Sequence, residues 1–216
     1  MSKVPSSQQT RRKLLVAASQ EIVESGYAGS SLANIAARIG YTKGSLCYHF
    51  PTKETILDGL MKELAASEQR AAIRAQQAFP DRPSRALLAH IAAYAFLAAT
   101  DAPTSAGGIL ARDPSIPPSY GRKLFLLWER VLTEHLQRAV DLEGYELTMP
   151  PQEAARHLIS TTAGAYLTSQ FADITGSRPR MEHIAPALVS IGLDDAEQLE
   201  QDVRDAGFFF SLDAVS

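Results

Sequence analysis

An all-α fold is predicted by three features of the sequence. Apolar residues recur at helical spacing along most of the 216-residue chain, and glycine and proline interrupt them about once per helix length. The period-two alternation that marks half-buried strands is missing throughout. With 45% hydrophobic and 21% charged residues, the chain can bury a sizeable core as one domain or two small ones. Disordered, collagen-like and disulfide-scaffold classes are excluded by the same composition. The single cysteine, Cys47, forbids an intrachain disulfide and fits a reducing compartment.

The elements follow in order. From Gln8 to Ser25, Leu14, Ala18 and Ile22 repeat at i, i+4, i+8 with Leu15 and Val23 beside them, and Gly26 supplies a C-terminal cap. Ser30 and Ser31 offer N-cap hydroxyls to a short helix, Leu32 to Ile39, whose inward face is Leu32, Ile35, Ala36 and Ile39. Gly40 breaks it. A third short helix covers Lys43 to Phe50, with Leu46 and Phe50 facing the core, and Pro51 ends it. Thr52 caps a long helix to about Phe79, apolar at Ile56, Leu57, Leu60, Met61 and Leu64. Further helices are predicted at 84–99, 119–142, 151–172 and 184–206, the last punctuated by Pro186 and Gly192. Asp101-Ala102-Pro103, Gly107-Gly108, Pro114 to Pro118, Met149-Pro150-Pro151 and Gly176 to Pro179 read as breaks.

The longest nearly uncharged apolar stretch, Ala86 to Thr100, has 15 residues and includes His90. A membrane-spanning helix needs roughly 20, so this stretch reads as a buried helix and no membrane partner is expected. Met1 to Lys13 lacks the apolar core of a secretory signal, and a cytoplasmic location is expected.

Charge is unevenly placed. The formal net charge is −3, yet residues 1–53 carry seven basic groups (Lys3, Arg11, Arg12, Lys13, Arg38, Lys43, Lys53) against two acidic ones (Glu21, Glu24). Counting the remaining 163 residues leaves 14 basic against 22 acidic. Only charges within roughly a Debye length act on a partner, about 8 to 10 Å, so an anionic partner is expected at the N-terminal end.

Two short helices joined by a tight glycine turn, preceded by a helix that packs across both, make a three-helix helix-turn-helix unit, which explains the charge split. The last helix of such a unit enters the DNA major groove. Thr42, Lys43, Gly44 and Ser45 open that helix and suit the task. Small hydroxyls hydrogen-bond phosphate, glycine permits close backbone approach, and lysine reaches a phosphate or a guanine edge. Tyr48 and His49 lie away from Leu46 and Phe50 and point outward. Arg11, Arg12 and Lys13 oppose the dipole at their helix start, which favours a phosphate-facing role.

The run GYAGSSLANIAARIGYTKGSLCYHFPTKETIL, Gly26 to Leu57, closely resembles the DNA-binding segment of the TetR (tetracycline-repressor) family of transcriptional regulators. The likeness extends from the Arg11-Arg12 region to Leu57. It rests on Gly26-Tyr27, Ser30-Ser31, Ile35-Ala36, Gly40, Thr42, Gly44, Leu46, His49-Phe50 and Thr52-Lys53-Glu54. The resemblance implies phosphate contacts at Ser31, Thr42, Tyr48, His49 and Lys53, and base-reading or groove-floor positions at Lys43, Gly44 and Ser45. In that family the residue after Leu46 is usually a tyrosine that reaches a phosphate; here it is Cys47.

Residues 1–52 are thus expected to form a helix-turn-helix DNA-binding domain, and residues 53–216 a helical ligand-sensing and dimerisation domain. The predicted function is a ligand-responsive repressor that binds a roughly palindromic double-stranded operator as a homodimer. The alternative is a ligand-independent, DNA-bound structural or interaction protein of the same fold. Tyr94, Phe96, Phe125, Trp128 and Tyr166, with Phe171, are candidates to line a cavity for a small apolar or aromatic effector. Arg112, Arg122 and Arg130 are the cations that could turn inward to hold a carboxylate instead. The small-sided run Ser160 to Ala165, flanked by Leu158, Ile159 and Leu167, is expected at the dimer interface with the 184–206 segment. His90, His135, His157 and His183 lie on separate helices without an i, i+4 pair and read as surface or hydrogen-bonded residues. No metal or cofactor is expected, and no catalytic constellation is readable.

Overall fold

A computed structural model describes residues 7–111, 113–172 and 183–208; the described residues form ten α-helices and no strand. Two compact units divide them. The first holds the described residues up to Ser67 and those between Leu97 and Leu124, and the second holds Glu68–Phe96 together with the described residues from Phe125 onward.

In the first unit, α1 (Ser7–Gly29) leaves helical geometry at Gly26 (φ 69°), the residue expected to cap it. Helices α2 (Leu32–Arg38) and α3 (Lys43–His49) are each seven residues long. Helices this short are unstable alone, so they depend on a shared core. Leu14, Leu15, Ala18 and Ile22 of α1 meet Ile35 and Ala36 of α2, Leu46 of α3, and Phe50 just beyond it. Ile56, Leu57 and Leu60 of α4 (Lys53–Ala78) close the same core with Leu110 and Ile116. Full burial of each large side chain contributes about 1.5–3 kcal/mol. The turn between α2 and α3 passes through Gly40 at φ 68°, a backbone region in which an L side chain is strained.

Sequence reading missed one helix. The residues expected to be breaks at Asp101-Ala102-Pro103 and Gly107-Gly108 form α6 (Ala102–Leu110), which follows α5 (Pro83–Thr100). Asp101 is its N-cap, accepting from the Thr104 backbone N–H, and Pro103 sits in the first turn, where no N–H is needed. Gly107 is set by close approach: a Cβ there would lie 2.7 Å from Leu64 Cδ2. The two apparent breakers are therefore a cap and a contact point.

In the second unit, α5 is buried continuously from Pro83 to His90; of the stretch Ala86 to Thr100 expected to be a buried helix, the first part is buried and Ala99 and Thr100 are exposed. Leu87 and Leu88 of α5, Leu132 and Leu136 of α7 (Pro118–Glu143), and Leu158 of α8 (Pro151–Ala172) are buried in this unit. The helix predicted over 184–206 is two helices. Pro186 stays inside the first turns of α9 (Ile184–Ser190), whereas Gly192 (φ 98°) turns the chain before α10 (Ala196–Asp205). No single helix among the described residues is long and apolar enough to cross a membrane.

Candidate nucleic-acid interface

Local chemistry sets α3 in place. Thr42 caps it by accepting from the Ser45 N–H at 3.1 Å, and Ser31 caps α2 by accepting from the Asn34 N–H at 3.1 Å. Each hydroxyl accepts with its oxygen, so its O–H remains able to donate to a phosphate. Leu46 is fully buried, and its neighbours Lys43, Gly44, Ser45 and Tyr48 are exposed, Tyr48 at 82%. A Cβ on Gly44 would meet nothing nearer than Thr42 Oγ1 at 3.9 Å. The fold does not require glycine there; its effect is to lower the outer surface of α3. His49 is partly buried, its ring edge-to-face with that of Tyr48 at 5.1 Å, and Cys47 is partly buried beside them.

Several cations of this segment serve the fold. The Arg11 guanidinium stacks on the Phe50 ring at 4.2 Å and donates to the His49 carbonyl at 3.0 Å, clamping the end of α3 to α1. That accounts for Arg11 without a phosphate. Arg38 donates to the buried Glu21 carboxylate at 2.7 Å and also pairs with Glu24, bracketing α2 against α1. Arg38, and then Asn34, hold the Glu21 carboxyl below its ordinary range by hydrogen bonding to its ionised form. Lys53 lies over the Tyr27 ring at 4.3 Å and donates to the Ala28 carbonyl at 3.4 Å, which fixes the start of α4. Arg12, Lys13 and Lys43 are exposed, with no ion-pair partner among the described residues.

The residues proposed for an effector cavity lie in the second unit. Tyr94 and Trp128 are brought together, edge-to-face at 5.3 Å, and Phe96 and Phe125 are partly buried on the same two helices. The side chains of Tyr166 and Phe171, and all of Arg112, lie outside the described residues; Arg122 and Arg130 are exposed. One turn of α5 before Tyr94, His90 faces His135 of α7, ring centroids 5.7 Å apart. Glu68 of α4 approaches His90, Oε1 to Nε2 2.9 Å. Neither of these histidines is at the surface: each is buried, His135 Nδ1 and His90 Nδ1 lack a hydrogen-bond partner, and His90 Nε2 faces the Glu68 carboxylate. Glu68 Oε2 and Trp128 Nε1 are buried and unpartnered as well. A buried polar group left unpaired costs about 1–3 kcal/mol. Burial, then the charge on His90, then Arg138 push His135 down to about 4, so it is neutral at neutral pH. Sequence reading had noticed His90 inside an apolar stretch, but Glu68 carried no signal. By contrast, His157 hydrogen-bonds Ser190 at 3.0 Å and His183 is exposed. No group of three His, Cys, Asp or Glu side chains among the described residues is placed to hold a metal ion.

An exposed seven-residue helix held against α1 and α2 has the arrangement of a helix-turn-helix unit. Residues 14–60 match the family model described as bacterial regulatory proteins, tetR family. Among solved structures, SmeT, the repressor of the Stenotrophomonas maltophilia multidrug efflux pump SmeDEF, is 25% identical with a TM-score of 0.62. That match covers 88% of this chain and 93% of SmeT. The SmeT–triclosan complex is 22% identical with a TM-score of 0.68, covering 87% of this chain and 93% of that one. CprB, a TetR family protein from S. coelicolor A3(2), shares the fold at 20% identity and TM-score 0.72, over 92% of this chain and 96% of its own. No curated protein matches the chain.

Proposed function

We propose that the protein is a repressor that binds a roughly palindromic operator as a homodimer and releases it when a small, largely aromatic effector enters the second unit. The observation that carries the DNA reading is the exposed start of α3. There Lys43, Ser45 and the Thr42 hydroxyl surround the open surface at Gly44, with Tyr48 outward and Ser31 and Lys53 presented by neighbouring helices. Lys43→Ala and Lys53→Ala are each expected to weaken operator binding and to reduce its salt dependence by about one unit of slope. Fluorescence anisotropy on promoter fragments beside the protein's own gene checks this. An absence of salt-sensitive binding by the unmodified protein overturns the reading.

The homodimer reading is supported by α8 and α9. Thr161 to Ala165 are only partly buried, a Cβ on Gly164 would meet nothing within 4 Å, and Val189 of α9 is 46% exposed. A surface cavity of about 350 Å³ lined by His157, Thr161, His183, Pro186, Ala187 and Ser190 opens beside them. Small side chains permit close approach of a second copy about a two-fold axis. Light scattering at micromolar concentration is expected to read twice the 23.4 kDa chain mass, and a monomer contradicts the proposal.

An effector-sensing role is favoured over a ligand-independent one by the unpaired polar atoms of Glu68, His90, Trp128 and His135. The solved structure of SmeT with triclosan shows an aromatic ligand on a protein of the same fold. Glu68 lies on α4, the helix that begins at Lys53, and an effector contact there is the natural start of a shift in the DNA-binding end. Operator release on adding the effector, read by the same anisotropy measurement, tests this part.

A further inference from the structure

We propose that Glu68, His90, Trp128 and His135 form the polar end of the effector site and select an uncharged ring compound bearing a hydroxyl group, such as a phenol. The inference rests on reading the second unit as a sensing unit and adds the chemistry it recognises. The sequence motivated a largely apolar ligand; the buried atoms demand more.

The requirement follows from donor and acceptor roles. Trp128 Nε1 can only donate, and Glu68 Oε2, as a carboxylate oxygen, can only accept; both are buried without a partner. A purely apolar ligand satisfies neither. A carboxylate could accept from Trp128 but would face the Glu68 carboxylate, and an ammonium could donate to Glu68 but offers Trp128 nothing. A hydroxyl both donates and accepts. The two histidines extend the set, since neutral His135 carries one donor and one acceptor nitrogen and His90 Nδ1 is unpaired.

Burial and charge point the same way. Glu68, His90 and His135 are 3%, 1% and 6% exposed. Glu68 Oε1 lies 2.9 Å from His90 Nε2, so Oε2 is the carboxylate oxygen left to accept from a ligand. Arg138 is engaged with the Gln76 side chain and the Pro80 carbonyl, and Arg122 and Arg130 are exposed. The ring body of the ligand has its own surface. His90 and Tyr94 are one turn apart on α5, and Trp128 and His135 are two turns apart on α7. Pairing His90 with His135 and Tyr94 with Trp128 therefore makes two adjacent levels, one polar and one aromatic.

Four naphthalene probes separate the possibilities: 2-naphthol, naphthalene, 2-naphthoate and 2-naphthylmethylammonium, titrated calorimetrically into the full chain. The expected result is that 2-naphthol binds at least tenfold more tightly than the other three. Trp128→Phe, which keeps a ring but removes the N–H, should weaken 2-naphthol about tenfold and leave naphthalene unchanged. Glu68→Gln should improve 2-naphthoate severalfold by removing the repulsion. The proposal is overturned if naphthalene binds as well as 2-naphthol, if Trp128→Phe weakens both equally, or if none of the probes binds. Operator binding without probe keeps the two readings apart. Its absence in the unmodified protein removes the regulator reading, whereas intact operator binding with no preference for the hydroxyl removes this site alone.

Discussion

Phe50→Ala is expected to destabilise the DNA-binding unit by about 3–5 kcal/mol, the usual cost of emptying a fully buried aromatic position. Phe50 has no exposed surface and follows α3 directly, so its ring is the wedge that seats α3. It touches two other elements. Arg11 of α1 stacks on it at 4.2 Å, and α4 approaches so closely that a Cβ on Gly59 would lie 3.2 Å from its ring. Losing the ring leaves a cavity and deprives Arg11 of its platform, so α3 loses both its floor and its clamp. Operator affinity should fall with stability, while Phe50→Leu, which keeps most of the apolar fill, should bind nearly as the unmodified protein does. Urea denaturation together with operator anisotropy checks both, and a loss below about 1 kcal/mol contradicts the wedge role.

The second large effect belongs to Arg85. This residue of α5 is 6% exposed, and its guanidinium reaches Asp202 of α10 at 2.9 Å, Glu143 at the end of α7 at 3.4 Å, and Asp195 at 3.5 Å. It also donates to the Tyr145 hydroxyl at 3.4 Å and to Ser84 Oγ at 3.1 Å. Arg85→Ala leaves three carboxylates around an empty site, and the expected cost is about 3–5 kcal/mol, mostly from uncompensated charge rather than the lost bonds themselves. The pH dependence follows from Asp202, whose carboxyl is held below its ordinary range by hydrogen bonds from Gln198 and then Arg85. A depressed carboxyl stabilises the fold above its unfolded pKa, about 4, and that contribution disappears as the pH falls through the folded value. The difference between the unmodified protein and Arg85→Ala should therefore be largest near neutrality and shrink below about pH 4. Denaturant midpoints measured across that range test it; a deficit that grows on acidification is the contrary result.

What the sequence by itself determined is local. The three N-terminal helices and their order were legible because each signal acts within about four residues: Leu46 and Phe50 one turn apart, hydroxyls at Ser31 and Thr42 beside the amides they cap, and Gly40 where φ turns positive. The match with the tetR family model over residues 14–60 covers this same segment. The limits of such reading appear at α6, where Asp101, Pro103 and Gly107 look like a break until Leu64 arrives beside the glycine. They appear again at Arg11, Arg38 and Lys53, basic residues whose partners, at His49 and Phe50, at Glu21 and Glu24, and at Tyr27 and Ala28, only folding supplies. Tertiary structure alone decided the polar cluster of the second unit. Glu68, His90 and His135 stand on three helices, and no helical or strand period links them. A carboxylate and two imidazoles become consequential only when packing removes them from water, because burial is what makes an unpaired polar atom costly and gives a ligand something to satisfy.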